Sequence, residues 1–302
     1  MVRKPYFCTR MKNGIPVYHL TTITELKEKD LLVSRFLPYS EKHRHLHSAH
    51  RHSFFHLVFF TEGKGTHSID FETYPVEPFQ IYFMIPGQVH SWNFTADPDG
   101  YVVNFSEEFF QAFLLNQSYL QNFPFFQPGR TDPIFSVSET SRAEIVRTFE
   151  EILKEGEADQ PFRADYLRVL LLKAFIMLSR ELPEDPVRQP FSYNRRLLGN
   201  FQGLLEVHFR ELRLPRDYAE LLYITPNHLN ALCTDLLGCS AGQLIRNRVV
   251  LEAKRLLINQ DLTIAEIAYQ LKFNDNSNFS KFFRKQAGMS PEEFRKAILK
   301  NQ

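Results

Sequence analysis

Fourteen residues, "HRHLHSAHRHSFFH" from His43 to His56, hold six of the chain's eleven histidines. Imidazole titrates near neutrality and ligates borderline metal ions, so such a cluster raises metal binding first. His50, His52 and His56 follow an H-x-H-x3-H pattern where the chain enters an apolar run, and on a strand these three share one face. "PGQVH" brings His90 one hairpin later, so four imidazoles could converge on a metal ion or line a small-ligand pocket. His43, His45 and His47 read most simply as a solvated loop.

A second stretch, "NDNSNFSKFF" from Asn274 to Phe283, is polar in a different way. Phe279, Phe282 and Phe283 recur at helical spacing and anchor one face, which leaves Asn, Ser and Lys facing outward at the start of a helix. For an isolated helix the plain reading is capping and solvation.

The elements that position these groups fall into two parts. Up to about Phe135, short aromatic and β-branched runs ("FFHLVFF", "GTHSIDF", "QIYFMI", "GYVVNF") are divided by "TEGKG", "IPGQ" and "DPDG", which predicts an antiparallel barrel or sandwich. From Ser141 the period becomes helical: "SRAE" has the form of a capping box, and Ile145, Phe149, Ile152 and Leu153 mark one face. A second helix, about Arg163 to Arg180, is apolar around most of its circumference, which suits burial within the chain or against a partner subunit. "ELPEDPVRQPFSYN" then reads as an extended linker. Beyond it the chain reads as about seven helices, with explicit start signals at Thr225-Pro226, "SAGQ" at 240–243, "TIAE" at 263–266 and "SPEE" at 290–293, and Gly238 as a stop.

Charge narrows the function. The chain is almost balanced, with 36 Lys and Arg against 35 Asp and Glu, but from Ser192 onward there are 16 basic and 11 acidic residues. A basic C-terminal part suits nucleic acid. The excess is too modest for a non-specific architectural protein, and no inserted wedge or minor-groove arm is evident. The N-terminus lacks an apolar signal region and no run is long enough to span a bilayer, so a cytoplasmic protein is expected. Cys8, Cys233 and Cys239 have no metal or redox spacing and read as reduced thiols. No nucleophile–base pair or phosphate loop is evident, so no enzyme and no cofactor are expected.

One arrangement occurs twice in the C-terminal part: "YAELLYITPNHLNALCTDLLG" and "IAEIAYQLKFNDNSNFSKFFRKQAG" each give a short apolar helix, a tight turn and a helix with a polar leading end. Ala219 and Ala268 sit where the paired helices approach, and Ile224 and Phe273 close the turns. With "RVVLEAKRLLI" between them and "GMSPEEFR" after them, these residues resemble the AraC/XylS family of bacterial transcription regulators. Lys272 stands where that family usually has Gly. The resemblance implies two recognition helices in successive major grooves of a double-stranded DNA operator. Base contacts are then expected from Asn227, His228 and Asn230 in the first unit and from Asn276, Ser277, Asn278, Ser280 and Lys281 in the second, because Asn pairs with adenine and Lys with guanine or phosphate. Thr225, Asn274, Arg246, Arg248, Arg284 and Lys285 are the expected phosphate contacts.

The N-terminal part resembles the cupin barrel, in which H-x-H-x3-4-E and a later P-x-G-x-x-H supply metal ligands. Here position 56 is His rather than Glu and "PG" lacks the spacer, so a metal-free pocket is favoured over a metal set of His50, His52, His56 and His90. The expected effector pocket is His52, His56, Tyr82, His90 and Trp92, whose rings could stack on a sugar-like ligand or simply fill a core. The expected architecture is an all-β cupin-like (jelly-roll) sensor at 1–135, a helical dimerisation segment at 136–183, a linker at 184–192 and an all-α DNA-binding domain with two helix-turn-helix motifs at 193–302. The family resemblance implies a homodimer that is controlled by a small effector and engages RNA polymerase. The rival reading is a metal-dependent cupin enzyme, or a metal sensor, fused to a helical DNA-binding domain.

Overall fold

The computed structural model describes residues 15–23, 30–111, 119–126, 134–182 and 193–300. Cys8 and the expected linker at 184–192 lie outside them. The described residues form two compact units, one up to residue 182 and one from 193 onward.

The first unit is a sheet of eight strands among the described residues: β1 (Val17–Tyr18), β2 (Leu31–Arg35), β3 (His50–His52), β4 (Phe55–Ile69), β5 (Glu72–Val76), β6 (Gln80–Met84), β7 (Val89–Phe105) and β8 (Ile134–Ser136). Their order is β1-β3-β7-β4-β6-β8, with β2 also on β7 and β5 on β4. β1 and β3 pair in parallel, while β4 pairs antiparallel with β5, β6 and β7. Its helices are α1 (Leu20–Ile23), α2 (Phe36–Lys42), α3 (Glu107–Gln111), α4 (Arg142–Glu157) and α5 (Arg163–Glu181).

Strand alternation divides the apolar residues between two cores. Val58, Phe60, Tyr82 and Val102 point inward with Phe36, Tyr39 and Trp92. Leu57, Phe59, Ile81, Phe83 and Val103 point the other way, against Ile145 and Phe149 of α4 and Leu171 and Phe175 of α5. A strand buried on both faces reads as a continuous hydrophobic run, which is why "FFHLVFF" shows no alternation.

Two expected turns are not turns. β4 continues through "TEGKG" and β7 through "DPDG" as one long bulged pair. Glycine at 65 and 100 serves close approach of the strands instead: a Cβ on Gly65 would lie 2.3 Å from Asn93 O and one on Gly100 only 1.9 Å from Phe59 O.

The second unit contains α6 (Tyr193–His208), α7 (Pro215–Leu221), α8 (Pro226–Leu237), α9 (Ala241–Leu257), α10 (Ile264–Gln270), α11 (Asn276–Ala287) and α12 (Pro291–Lys300). Its local signals act as read. Thr225, Ser240 and Thr263 accept from the third backbone N–H of α8, α9 and α10, and Glu266 closes a full capping box. Ser290 and Glu293 exchange the same two bonds at α12. "SRAE" differs: the Ser141 hydroxyl makes no cap bond to α4 and accepts from Ser138 Oγ instead. No helix among the described residues is long and apolar enough to cross a membrane.

Candidate functional site

The two helix-turn-helix units are built by the same backbone bonds. At the first turn Ile224 N–H donates to Ala219 O (3.0 Å) and Tyr223 N–H to Glu220 O (3.0 Å); at the second Phe273 N–H donates to Ala268 O and Lys272 N–H to Tyr269 O (2.9 Å each). Tyr223 and Lys272 both adopt φ 56, a left-handed conformation costing a side-chain-bearing residue roughly 1–2 kcal/mol. Lys272 therefore takes the backbone that Gly would favour, and Tyr223 does so in the first unit. Ala219 and Ala268 are buried where the helix pairs meet.

Both turns deliver a helix whose leading end faces solvent. On α8, Asn227, His228 and Ala231 are exposed; on α11, Asn276, Ser277, Asn278, Lys281, Arg284 and Lys285 are, as is Asn274 before it. Phe279 and Phe283 lie fully buried beneath α11. Several expected contacts are engaged elsewhere. Asn230 is half-buried and its Oδ1 accepts from Ala241 N–H (3.1 Å), which pins α8 to the start of α9. Asn278 donates through Nδ2 to Asp275 (2.7 Å), whose other carboxylate oxygen caps α11. Ser280 is half-buried and donates to Asn276 Oδ1 at 3.4 Å. Thr225 caps α8 through its hydroxyl, and Arg246 donates to Gln243. Arg248 is not a surface cation: it pairs with Glu206 (2.7 Å) and Glu252 (3.2 Å) and stacks over Phe209.

In the barrel the strand register gathers the imidazoles. His50 pairs opposite His90 across β3 and β7, and His52 follows two residues on. β4 then carries His56 opposite Asn104, and His67 opposite Trp92. Ring centroids of His50 and His90 stand 4.1 Å apart, those of His52 and His90 4.9 Å, and those of His52 and His56 4.8 Å. His67 stacks on Trp92 at 3.3 Å. All five histidines are at most 3 % exposed.

Burial keeps these rings neutral. Desolvation holds His50 down at about 3 and His56 at about 4, the latter opposed by its hydrogen bond to Asn104, and it holds His52, His67 and His90 well below the usual imidazole range. Their bonds are specific: His50 Nδ1–H donates to Ser48 O (2.8 Å) and His56 Nδ1–H to Asn104 Oδ1 (2.5 Å). His50 Nε2 meets His52 Nε2, and His67 Nε2 meets His90 Nδ1, each at 3.1 Å. His52 Nδ1, His67 Nδ1 and His90 Nε2 are buried without a hydrogen-bond partner among the described residues. Each such atom costs about 1–3 kcal/mol unless a ligand answers it.

A small cavity of about 10 Å³ opens beside the cluster, between His52, His56, His90 and Trp92 on the sheet and Tyr39 and His43 on the covering segment. That is room for about one water. Tyr82 is not on its wall; the phenol donates to Pro75 O and Gln80 Oε1 inside the core. His67 and Asn104, absent from the expected pocket, sit directly behind it. An isolated histidine in a strand has no spacing to announce it. Asn104, in "GYVVNF", could have been found as the one polar residue in an apolar run.

Comparison with known proteins matches this geometry. The AraC-like ligand binding domain matches residues 33–171 and a helix-turn-helix domain matches 218–297. The HTH-type transcriptional activator RhaR of Yersinia pestis bv. Antiqua (strain Angola) is 21% identical over 282 residues, covering 91% of this chain and 95% of that protein. RhaS of Citrobacter koseri (strain ATCC BAA-895 / CDC 4225-83 / SGSC4696), also an HTH-type transcriptional activator, is 22% identical over 247 residues, 82% of this chain and 86% of that protein. Among solved structures, ToxT from Vibrio cholerae O395 aligns over 89% of this chain and 98% of its own, with 13% identity and a TM-score of 0.43. The two domain matches and the full-length relatives together define a sequence-specific DNA-binding transcription regulator with a small-molecule-binding N-terminal domain. The chain belongs to the AraC/XylS family.

Proposed function

We propose that α8 and α11 are the recognition helices, with base contacts from Asn227, His228, Asn276, Ser277 and Lys281 and phosphate contacts from Thr225, Asn274, Arg284 and Lys285. Arg246, half-buried, serves as a further phosphate contact when its Gln243 bond is exchanged. The observation that carries this reading is the repeated turn, which sets two polar helix ends outward by identical bonds. A good base contact discriminates by roughly 1–3 kcal/mol. With an operator selected from random DNA by the full chain, Asn276→Ala should therefore weaken binding about 5- to 150-fold and relax preference at one base pair. Unchanged affinity and preference in that variant would remove α11 from the interface.

The effector enters the histidine-lined barrel, contacting His52, His56, His90 and Trp92. A ligand of sugar size exceeds the present cavity, so its binding displaces α2 and the His-rich turn at 44–47. Effector binding must favour one arrangement of the chain over another to change transcription. The regulator acts in the cytoplasm as a homodimer and engages RNA polymerase at its promoter. The dimer reading rests on α5: Tyr166, Val169 and Ile176 are exposed at helical spacing, below Phe162 at 81% exposure. Val169→Asp with Ile176→Asp should convert the protein to monomers in sedimentation and weaken binding to paired half-sites. An unaltered mass would exclude α5 as the interface.

A further inference from the structure

We propose that the cleft between α9 and the turn that opens α11 binds a small organic anion, a carboxylate or phosphate group on an apolar body, and that this occupant competes with the operator. The site rests on the geometry of the helical unit; its effect on DNA rests on the reading of α11 as a recognition helix. The cleft encloses about 340 Å³, inside the range of about 300–1,000 Å³ usual for small-molecule sites, whereas the barrel cavity measures about 10 Å³. A ligand-sized space thus already exists in the DNA-binding unit.

Three cations from separate segments line it: Arg213 ahead of α7, Arg246 on α9 and Lys272 in the second turn. Among the described residues no carboxylate does so. The nearby Asp275 is committed to the cap of α11 and to Asn278 Nδ2. Cations gathered on one wall repel one another, and an anion between them turns that repulsion into attraction. Arg213 is held in place, donating to Arg210 O (3.2 Å) and Leu271 O and standing over the Phe273 ring at 4.5 Å. Burial lowers this guanidinium from its usual range, as for a cation with too little water around it. Lys272 keeps a side chain at φ 56, where Gly would sit without strain, and it too lines the cleft. The apolar wall decides between a bare anion and an organic one. It is made by Val249, which is buried, and by Phe273 and Phe282, which are half-buried. A phosphodiester backbone gains nothing from covering such residues, while an apolar body does. Asn274 and Asn278, exposed at the leading end of α11, complete the lining, so an occupant takes ground that DNA would need.

The test uses the full chain and the probe adamantanecarboxylate, which is compact, apolar and transparent where tryptophan absorbs. Titration calorimetry should show one probe per chain. The neutral adamantanemethanol and inorganic phosphate should each bind at least about 10-fold more weakly, since one lacks the charge and the other the apolar body. Emission from Trp92 in the barrel should stay constant; a change that saturates together with the heat would put the probe in the barrel and overturn the site. Lys272→Gly suits the backbone at φ 56 and so keeps the fold, and it should weaken the probe at least about 10-fold. Arg213→Met should do the same; if circular dichroism shows it unfolded, Lys272→Gly decides. The probe should also raise the Kd for operator DNA. Lys272→Gly, compared with its own probe-free affinity, should need about 10-fold more probe for the same rise. Phosphate binding as tightly as the carboxylate would make the cleft a plain seat for the DNA backbone, and no saturable binding would remove it; either result overturns the site. Probe binding that leaves operator affinity unchanged would overturn the competition. Operator binding without probe, and its response to Asn276→Ala, separately report α11, so a failed cleft leaves that reading distinguishable.

Discussion

Glu252→Ala should lower the stability of the helical unit by about 3–5 kcal/mol. The Glu252 side chain, 5% exposed, lies 3.3 Å from Arg210, 3.2 Å from Arg248 and 3.8 Å from Arg255, and Arg255 is itself 4% exposed. Removing the carboxylate leaves two largely buried guanidinium groups short of a counter-charge. That desolvation penalty, more than lost attraction, sets the size of the effect. Arg248 keeps Glu206 on α6, so part of the network survives. The urea midpoint of the helical unit, followed by circular dichroism, measures the change. A loss below about 1 kcal/mol would mean that water reaches the cluster and screens it.

The second large effect is acid sensitivity of the barrel, measured in protein freed of divalent metal. Unfolded histidine titrates near 6.5, while burial depresses the folded values: about 4 for His56, about 3 for His50, and well below the usual range for His52, His67 and His90. Below pH 6.5 the unfolded chain binds more protons than the folded one, so stability falls with pH. Each histidine contributes up to about 1.4 kcal/mol per pH unit until its folded value is passed. The neighbouring His45 and His47 add smaller depressions, and among the described residues no carboxylate lines the cavity to oppose them. The barrel's melting transition should therefore be nearly flat from pH 8 to 7 and drop steeply from 6.5 to 5, by several kcal/mol in all. A transition that stays level to pH 5 would show that the imidazoles are already charged or hydrated in the fold.

What the sequence disclosed was whatever four or five consecutive residues decide by themselves. "TIAE", "SPEE" and Thr225-Pro226 announce helix starts because the cap and its target are three residues apart. Repetition then made the paired turns visible without any tertiary information. One local signal failed, because Ser141 bonds Ser138 in place of the start of α4; the other failures began where a residue's partner is distant. Gly65 and Gly100 looked like turn formers, but their use is the close approach of β4 and β7. Asn230 and Arg248 have the chemistry of DNA contacts and are drawn inward by Ala241 N–H and by Glu206, 11 and 42 residues away. His67 gave no signal, being 23 residues from the His90 it meets. In the histidine cluster the strand spacing brought His50, His52, His56 and His90 side by side, while the bonds that orient His50 and His56 come from Ser48 and Asn104.

Trp92 is the chain's one tryptophan, and it lies on the cavity wall with its indole stacked on His67. Light absorbed selectively by tryptophan is therefore absorbed at a single place, and all of that emission comes from the sensory barrel while the DNA-binding unit stays dark. Anything that changes charge, polarity or ring contact in the cavity alters the colour or yield of that emission. The molecule carries its own optical reporter of occupancy, and its signal can be read during DNA binding without attaching a dye.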